Sequence, residues 1–202
     1  MPKLVKALLE HGANPNVQIA KDFPPYSRSP YALQTSLVGM TPFLLAAAAA
    51  DLNLMRMLLD GGADPHIKSK DRSTALMMAA GVGRVDEREN QQDDTNALEA
   101  ANLALMLGDD INAANQKGRT ALHGAAGIGA NALIQFLFEK GANLNAKDSG
   151  GYSPMAVAAG LAPRGGDSAS RVYEGTVNLL LKLGAQPLPQ PRSRAGNEDE
   201  RK

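Results

Sequence analysis

The chain has 202 residues, with 21 acidic and 21 basic side chains and no cysteine. The balanced charge argues against nucleic-acid binding, which needs clustered positive charge to neutralise phosphates, and gives no reason to expect a membrane partner. Disulfides, thiolate metal sites and cysteine nucleophiles are excluded. The longest apolar stretch, 41–50, is too short to span a bilayer, and the chain does not open with the pattern of a signal peptide. We expect a soluble chain, cytoplasmic by default, or exported if a longer parent carries a signal peptide.

The first predicted element is a helix whose apolar face carries four side chains, Leu4, Val5, Leu8 and Leu9. Gly12-Ala13-Asn14 follows it as a turn. No partner helix precedes this apolar face in the sequence. We therefore predict that the face is not covered by a first helix of its own unit.

Two short markers recur along the chain. One is Thr or Ser followed by a small and a large apolar residue, at Thr41, Thr74, Thr120 and Ser153. The other is Gly followed by Ala-Asn or a close relative, at Gly12, Gly62, Gly108, Gly141 and Gly184. The first markers are 33, 46 and 33 residues apart, whereas the glycine at 62, 108 or 141 always precedes the next Thr or Ser by 12. The extra residues of the long interval therefore lie inside a unit, between its two helices.

Each part of a unit has a local physical role. Thr or Ser is a helix N-cap, and a short Ala-rich helix such as 122–126 follows it. A second helix then carries apolar residues at helical spacing, as at Leu133, Phe136 and Leu137. Gly141 stands where the end of a helix requires a positive φ. No unit can bury its apolar stripe alone, so the units are predicted to stack.

The run Thr-Ala-Leu-His-Gly-Ala-Ala at 120–126, with Leu137 and Gly-Ala-Asn-Leu-Asn at 141–145, resembles the ankyrin repeat. The resemblance implies an all-α ankyrin-repeat solenoid of stacked helix-turn-helix units with hairpin fingers, of the bacterial type with inserted loops. It implies a half repeat at 2–16 and about four full repeats, at 37–68, 69–114, 115–147 and 148–187. The proline-rich and charged tail, 188–202, is predicted to be disordered. The half repeat suggests that the chain is a C-terminal piece of a longer array or begins at an internal Met. The alternative is that the half repeat is an edge for self-association. Without such self-association, we expect a monomer.

Three insertions interrupt the pattern. The first, 17–36, lengthens the first finger, whereas 84–96 and 163–170 separate the two helices of their repeats. The second insertion is acidic. Arg72 replaces the glycine expected before Thr74, so the turn at 70–73 is predicted to be distorted.

The resemblance also implies that the first helices and the finger tips line a concave contact side. Charged residues usually occupy several positions on this side, but here almost none of the matching positions is charged. The implied contact residues are Met40, Leu45, Met78, Val82, Arg119, Ile128, Tyr152 and Val157, joined by Phe23, Tyr26, Arg28 and Tyr31 of the first insertion. Either groove and insertion clamp an apolar peptide or helix, or the insertion folds over the groove and buries it.

No residue is a candidate for catalysis, cofactor binding or metal binding. His123 takes the place of the motif histidine, which implies a structural hydrogen bond across the turn, and His11 and His66 lack partners at metal-ligand spacing. The glycines at 127 and 129 lack the preceding strand of a dinucleotide-binding fold. Acidic residues in 86–94 lack the ligand spacing of a calcium loop.

The leading prediction is a non-catalytic module that binds a protein or peptide of unknown identity. The alternative is a regulatory or docking segment of a larger enzyme-containing protein. A small-molecule binder or an enzyme would need a closed polar pocket under an insertion, and nothing in the residues demands one.

Overall fold

The computed structural model describes residues 2–21, 37–82, 94–162 and 171–188. Within these ranges the protein is helical, without strands. The helices are α1 (Pro2–Glu10), α2 (Pro42–Ala48), α3 (Leu52–Asp60), α4 (Ala75–Ala79), α5 (Asp94–Met106), α6 (Ala121–Ile128), α7 (Asn131–Glu139), α8 (Pro154–Ala158) and α9 (Glu174–Lys182). The all-α architecture expected from the sequence is confirmed.

The short helices begin at the predicted Thr and Ser caps. The Thr41 hydroxyl accepts a hydrogen bond from the backbone of Leu44, 3.3 Å away, and the Ser153 hydroxyl accepts one from Ala156 at the same distance. Both caps precede a proline at the start of the helix, where its missing N–H removes no hydrogen bond. These caps therefore set where α2 and α8 begin.

The second helices end at the predicted glycines. Gly62, after α3, has a φ of 86° and Gly141, after α7, has a φ of 93°. L-amino acids with a Cβ rarely adopt this left-handed region, so glycine suits the turn. Each turn leads the chain out of the stack towards the next finger.

The helices pack as a stack of pairs. The first helices α2, α4, α6 and α8 contact one another in order, and so do the second helices α3, α5, α7 and α9. Each first helix also packs on the second helix that follows it. A single core runs from Met40 to Ala185 and is rich in alanine, which lets the helices approach closely. This core is a layer one helix pair thick.

The predicted open apolar face is present on α1. Leu4 and Leu8 are 60% and 51% exposed, whereas Val5 and Leu9 are partly buried against the core. Leu58, which holds the position of Leu8 in α3, is buried because α2 covers it. The predicted self-association through this face stays a prediction.

Two of the predicted insertions lie between a first and a second helix. The second falls between α4 and α5, and the third between α8 and α9. The last three residues of the second, 94–96, belong to α5. Most of the three insertions, and residues 189–202 of the predicted tail, lie outside the described part of the chain. The repeat boundaries remain predictions.

Candidate partner-binding surface

The fingers are the turns that precede the first helices, and backbone hydrogen bonds join them into one edge. The Lys70 amide donates to the Val38 carbonyl over 3.1 Å, and the Gln116 amide donates to the Asp71 carbonyl over 2.8 Å. The Ser149 amide donates to the Lys117 carbonyl over 2.9 Å. Neighbouring finger tips are therefore held at hydrogen-bonding distance. We call the described residues 17–21, 37–40, 67–73, 113–119 and 146–152 the finger edge.

The turn at Arg72 keeps the regular finger geometry. Arg72 has a φ of 65°, close to the 71° of Gly118 in the next finger. Its amide donates to the Ser69 carbonyl over 2.9 Å, as the Gly118 amide does to Asn115 over 2.8 Å. The predicted distortion is wrong, because neighbouring fingers hold the turn in place. The strain instead resides in the left-handed backbone of a residue that has a Cβ.

His123 links two adjacent repeat units. Its Nδ1 accepts a hydrogen bond from the Thr120 amide over 3.1 Å, so its Nε2 carries the proton and donates to the Tyr152 carbonyl over 3.0 Å. The imidazole is buried, and burial lowers its pKa, while the Tyr152 carbonyl and the Asp148 carboxylate oppose that change. The expected structural role of His123 is confirmed.

Asp148 organises the two polar contact residues predicted on the fingers. Its Oδ1 accepts from the Gly150 and Tyr152 amides over 2.9 and 3.0 Å. Its Oδ2 accepts from Arg119 Nε over 3.4 Å. The Asp148 side chain is 6% exposed, whereas that of Arg119 is 30% exposed. One buried carboxylate therefore orients a half-exposed Arg, and fixes the backbone of Tyr152, which is also half-exposed.

Four predicted groove residues are buried instead of exposed: Met40, Met78, Val82 and Val157. Met40 and Met78 belong to the main core. A Cβ on Gly124 would lie 2.8 Å from Val82 Cγ2, and one on Gly127 would lie 3.3 Å from Val157 Cγ1. The valines fill spaces left by glycines of α6. The expectation that these four side chains are exposed is therefore wrong.

Ile128 and Leu45 are half-buried. Ile128 packs over Gly81, where an added Cβ would come within 2.8 Å of Ile128 Cδ1. Leu45 packs at the margin of the core on α2. The predicted contacts Phe23, Tyr26, Arg28 and Tyr31 lie outside the described residues. The alternative in which the insertion covers the groove concerns the same residues and stays a prediction.

Asp109 makes a polar contact within the unit 69–114 that the sequence did not indicate. Its Oδ2 accepts from the Leu76 amide over 2.8 Å, in the first turn of α4. Burial raises the pKa of Asp109, although the hydrogen bonds to Leu76 and Thr74 act against it. The only available signal was that Asp109 stands where other units have alanine, as at Ala63.

No group of His, Asp and Glu side chains in the described ranges is arranged to hold a metal ion. In the same ranges, none of the helices has the length and apolar character needed to cross a membrane.

The stacked helix pairs and their joined fingers define a helical repeat protein. A family model of one ankyrin repeat matches residues 38–70, and a model of several ankyrin repeats matches residues 92–190. The chain belongs to the ankyrin repeat family. Ankyrin repeats generally mediate protein–protein interaction.

Several known proteins are similar to the chain. Mouse ankyrin repeat and SOCS box protein 16 is 28% identical over 93% of this chain and 43% of its own length. Mouse DNA-binding protein RFXANK is 48% identical over 21% of this chain and 16% of its own. The platypus (Ornithorhynchus anatinus) ankyrin repeat, SAM and basic leucine zipper domain-containing protein 1 is 37% identical over 49% of this chain and 19% of its own. The chain thus spans less than half the length of these relatives.

Proposed function

We propose that this protein is a non-catalytic interaction module whose partner protein or peptide binds the finger edge and the adjacent first helices. The observation that carries the proposal is the shared carboxylate of Asp148, which binds the Arg119 guanidinium and the Tyr152 amide. Arg and Tyr are the residue types that most often dominate binding energy at protein interfaces. Here both are partly exposed and held in place before any partner arrives.

Prior ordering of these groups favours binding. An immobilised, rotamer-rich side chain costs about 0.5–1.5 kcal/mol when it is ordered only on association. The hydrogen bond from Arg119 to Asp148 already restricts the arginine. His123 and Asp148 restrict the backbone of Tyr152. A partner would therefore meet a surface whose main anchors are already positioned.

Apolar contacts complete the proposed surface. Leu45 and Ile128 stay half-exposed on α2 and α6. We also assign partner contacts to the first insertion, whose Phe23, Tyr26, Arg28 and Tyr31 combine aromatic and cationic character. The described start of the insertion includes Ile19, whose backbone bonds to Gly39 and Met40 over 2.8 and 3.1 Å.

The test is affinity capture from lysate of the source cell, with the captured protein identified and its binding then measured with purified components. The variant Arg119→Ala/Tyr152→Ala is expected to lose the partner. The matched control Lys182→Ala/Leu181→Ala truncates one cation and one large exposed side chain on α9, and is expected to keep it. If both variants bind as the parent does, the proposed surface is wrong.

A deletion of residues 22–36 tests the insertion separately. It spares Ile19 and its backbone hydrogen bonds, so the finger base is expected to survive. Weaker binding by a deletion variant that still melts cooperatively would support contacts from the insertion. Unchanged binding would remove the insertion from the proposed surface.

A further inference from the structure

The chain has no net charge, but basic side chains form a row along the finger edge. Six exposed basic residues stand there in adjacent fingers: Lys21, Lys68, Lys70, Arg72, Lys117 and Lys147. We propose that this row binds an acidic segment of the partner protein. This inference rests on the proposed interaction function and assigns the chemistry of the partner.

The row is continuous because the finger tips are bonded to one another. Lys70 and Lys117 themselves supply backbone groups to the hydrogen bonds between tips. The Gln116 side chain adds another, donating to the Lys70 carbonyl over 3.1 Å. Cations on neighbouring fingers therefore belong to one rigid edge and can act on the same ligand.

The acidic residues of the finger edge are already engaged. Asp71 accepts hydrogen bonds from Ser69 and Asn115. Asp148 accepts from two amides and from Arg119. Within the described ranges, none of the six exposed cations forms an ion pair. Their charge is therefore free to attract a ligand.

The second helices and their flanking turns carry exposed charges of both signs, unlike the finger edge. The exposed acidic residues there are Glu10, Asp51, Asp60, Asp64, Glu99, Asp110, Glu139 and Glu174, and the exposed basic residues are Lys3, Lys6, Arg56, Lys140, Arg171 and Lys182. Because complementary potentials steer encounter, an acidic partner segment is attracted to the finger edge, where the exposed charges are basic.

A peptide fits this edge better than a nucleic acid does. The row offers one to three cations per finger, and the half-exposed Tyr152 and Arg119 lie among them. A duplex carries one negative charge per ~1.7 Å along its axis and is usually met by a broad basic surface. Beyond the row, the second helices carry charges of both signs and do not extend the basic surface. A short segment of alternating acidic and apolar residues would contact the row alone.

The experiment uses a fluorescently labelled peptide in which Glu alternates with Leu, measured by anisotropy at low and high salt. The variant Lys70→Glu/Arg72→Glu/Lys117→Glu is expected to bind it at least about tenfold more weakly than the parent. The control Lys3→Glu/Arg171→Glu/Lys182→Glu makes the same charge change at exposed sites outside the finger edge and is expected to retain binding. Binding by the parent is expected to weaken as salt rises.

Two further probes test whether the row binds an acidic peptide. A peptide with Gln in place of Glu is expected to bind at least about tenfold more weakly. Equal binding of both peptides, or equal binding by the finger variant, would overturn the inference. Tighter binding of a labelled DNA duplex than of the Glu peptide would assign the row to nucleic acid and would also overturn it.

The captured partner separates this inference from the proposed function. If that partner depends on Arg119 and Tyr152 but binds the charge-reversed finger variant normally, the acidic-segment inference fails and the interaction function stands. If the partner binds both the Arg119/Tyr152 variant and the charge-reversed variant as it binds the parent, the proposed surface itself fails. Loss of binding in the charge-reversed variant, with normal thermal unfolding, supports both.

Discussion

The Nε2 of His123 on α6 lies 3.0 Å from the carbonyl oxygen of Tyr152, in the finger of the next unit. Its Nδ1 faces the Thr120 amide, which can only donate a hydrogen bond. A protonated imidazole has no acceptor to offer that amide, so the folded protein favours the neutral ring. This single side chain therefore joins a helix cap to the proposed binding surface.

His123 should make stability depend on pH. Burial lowers its pKa in the folded protein, whereas the unfolded chain takes up a proton near pH 6.5. The stabilisation is therefore complete above about pH 6.5 and is lost as the pH falls through the lowered folded-state pKa. Thermal unfolding of parent and His123→Ala across this range measures it.

We expect His123→Ala to lower the free energy of unfolding at neutral pH by about 1–3 kcal/mol, since it removes the acceptor of the buried Thr120 amide and one of the two donors to the Tyr152 carbonyl. The variant should also lose part of the pH dependence. His11→Ala serves as the control, because His11 is exposed and its ring hydrogen-bonds to the Ala7 carbonyl of α1. Identical pH profiles for parent and His123→Ala would contradict this account.

The glycines of α6 give a second prediction. A Cβ at Gly124 would lie 2.6 Å from the Val82 amide nitrogen and 2.7 Å from the Ala80 carbonyl oxygen, both rigid backbone atoms. We expect Gly124→Ala to destabilise the fold by at least ~1–3 kcal/mol, since the two first helices must move apart.

Gly175→Ala is the matched control for that change. Gly175 lies in α9, and the nearest atom to its added Cβ is the Asn131 Nδ2, at 3.7 Å. Alanine should therefore stabilise α9 by about 0.5–1 kcal/mol through its better helix propensity. Denaturant unfolding of both variants measures the difference. A tolerated Gly124→Ala would show that the first helices are not locked together at this glycine.

A ladder of asparagines between the turns of successive units gives a third prediction. Asn16 bonds to the Gly62 carbonyl and the Asp64 amide, at 3.2 and 2.7 Å. Asn112 repeats this bridge to the Gly141 carbonyl and the Asn143 amide, at 3.1 and 2.8 Å. His66 holds the equivalent position between them, but its side chain makes no hydrogen bond with the described residues.

His66→Asn should restore the missing bridge, from residue 66 to the turn at 108–110. We expect a gain of ~1 kcal/mol, from hydrogen bonds that the histidine does not form. His66→Ala is the control and should give no gain. The prediction is wrong if the Asn and Ala variants melt at the same temperature.

Asp109 gives a fourth prediction, in which stability changes with pH in the direction opposite to that for His123. Its pKa is raised by burial, so the folded state disfavours the charged carboxylate. The unfolded chain ionises near pH 3.8, and stability therefore falls as pH rises from there through the raised folded-state pKa. Asp109→Asn, which keeps an acceptor for the Leu76 amide, should be more stable than the parent at neutral pH.

The advantage of Asp109→Asn should shrink as the pH falls and the parent carboxyl becomes protonated. Asp109→Ala is the control, and should lose about 1–3 kcal/mol at neutral pH because the buried Leu76 amide loses its acceptor. Calorimetric melting of all three proteins over the acidic range measures both effects. A gap between Asp109→Asn and parent that does not change with pH would contradict this account.

Features set by neighbours along the chain were predictable, and features set by distant neighbours were not. Thr41 and Gly141 act within one turn of helix, so residue type alone indicates a cap or a left-handed turn. The burial of Val82 depends instead on Gly124 in α6, which leaves space for the valine side chain. Asp109 meets its partner across a separation of 33 residues. The motif marked which positions face a neighbouring element, but not how closely that element approaches.

Arg72 provides the last prediction. Its φ of 65° places a residue with a Cβ where neighbouring fingers use glycine. We expect Arg72→Gly to raise the free energy of unfolding by about 0.5–1 kcal/mol, since relief of the left-handed strain exceeds the added freedom of the unfolded chain. Lys70→Gly, in the same finger but without a positive φ, should lower it by a similar amount. Urea unfolding compares the two, and equal destabilisation would mean that Arg72 carries no backbone strain.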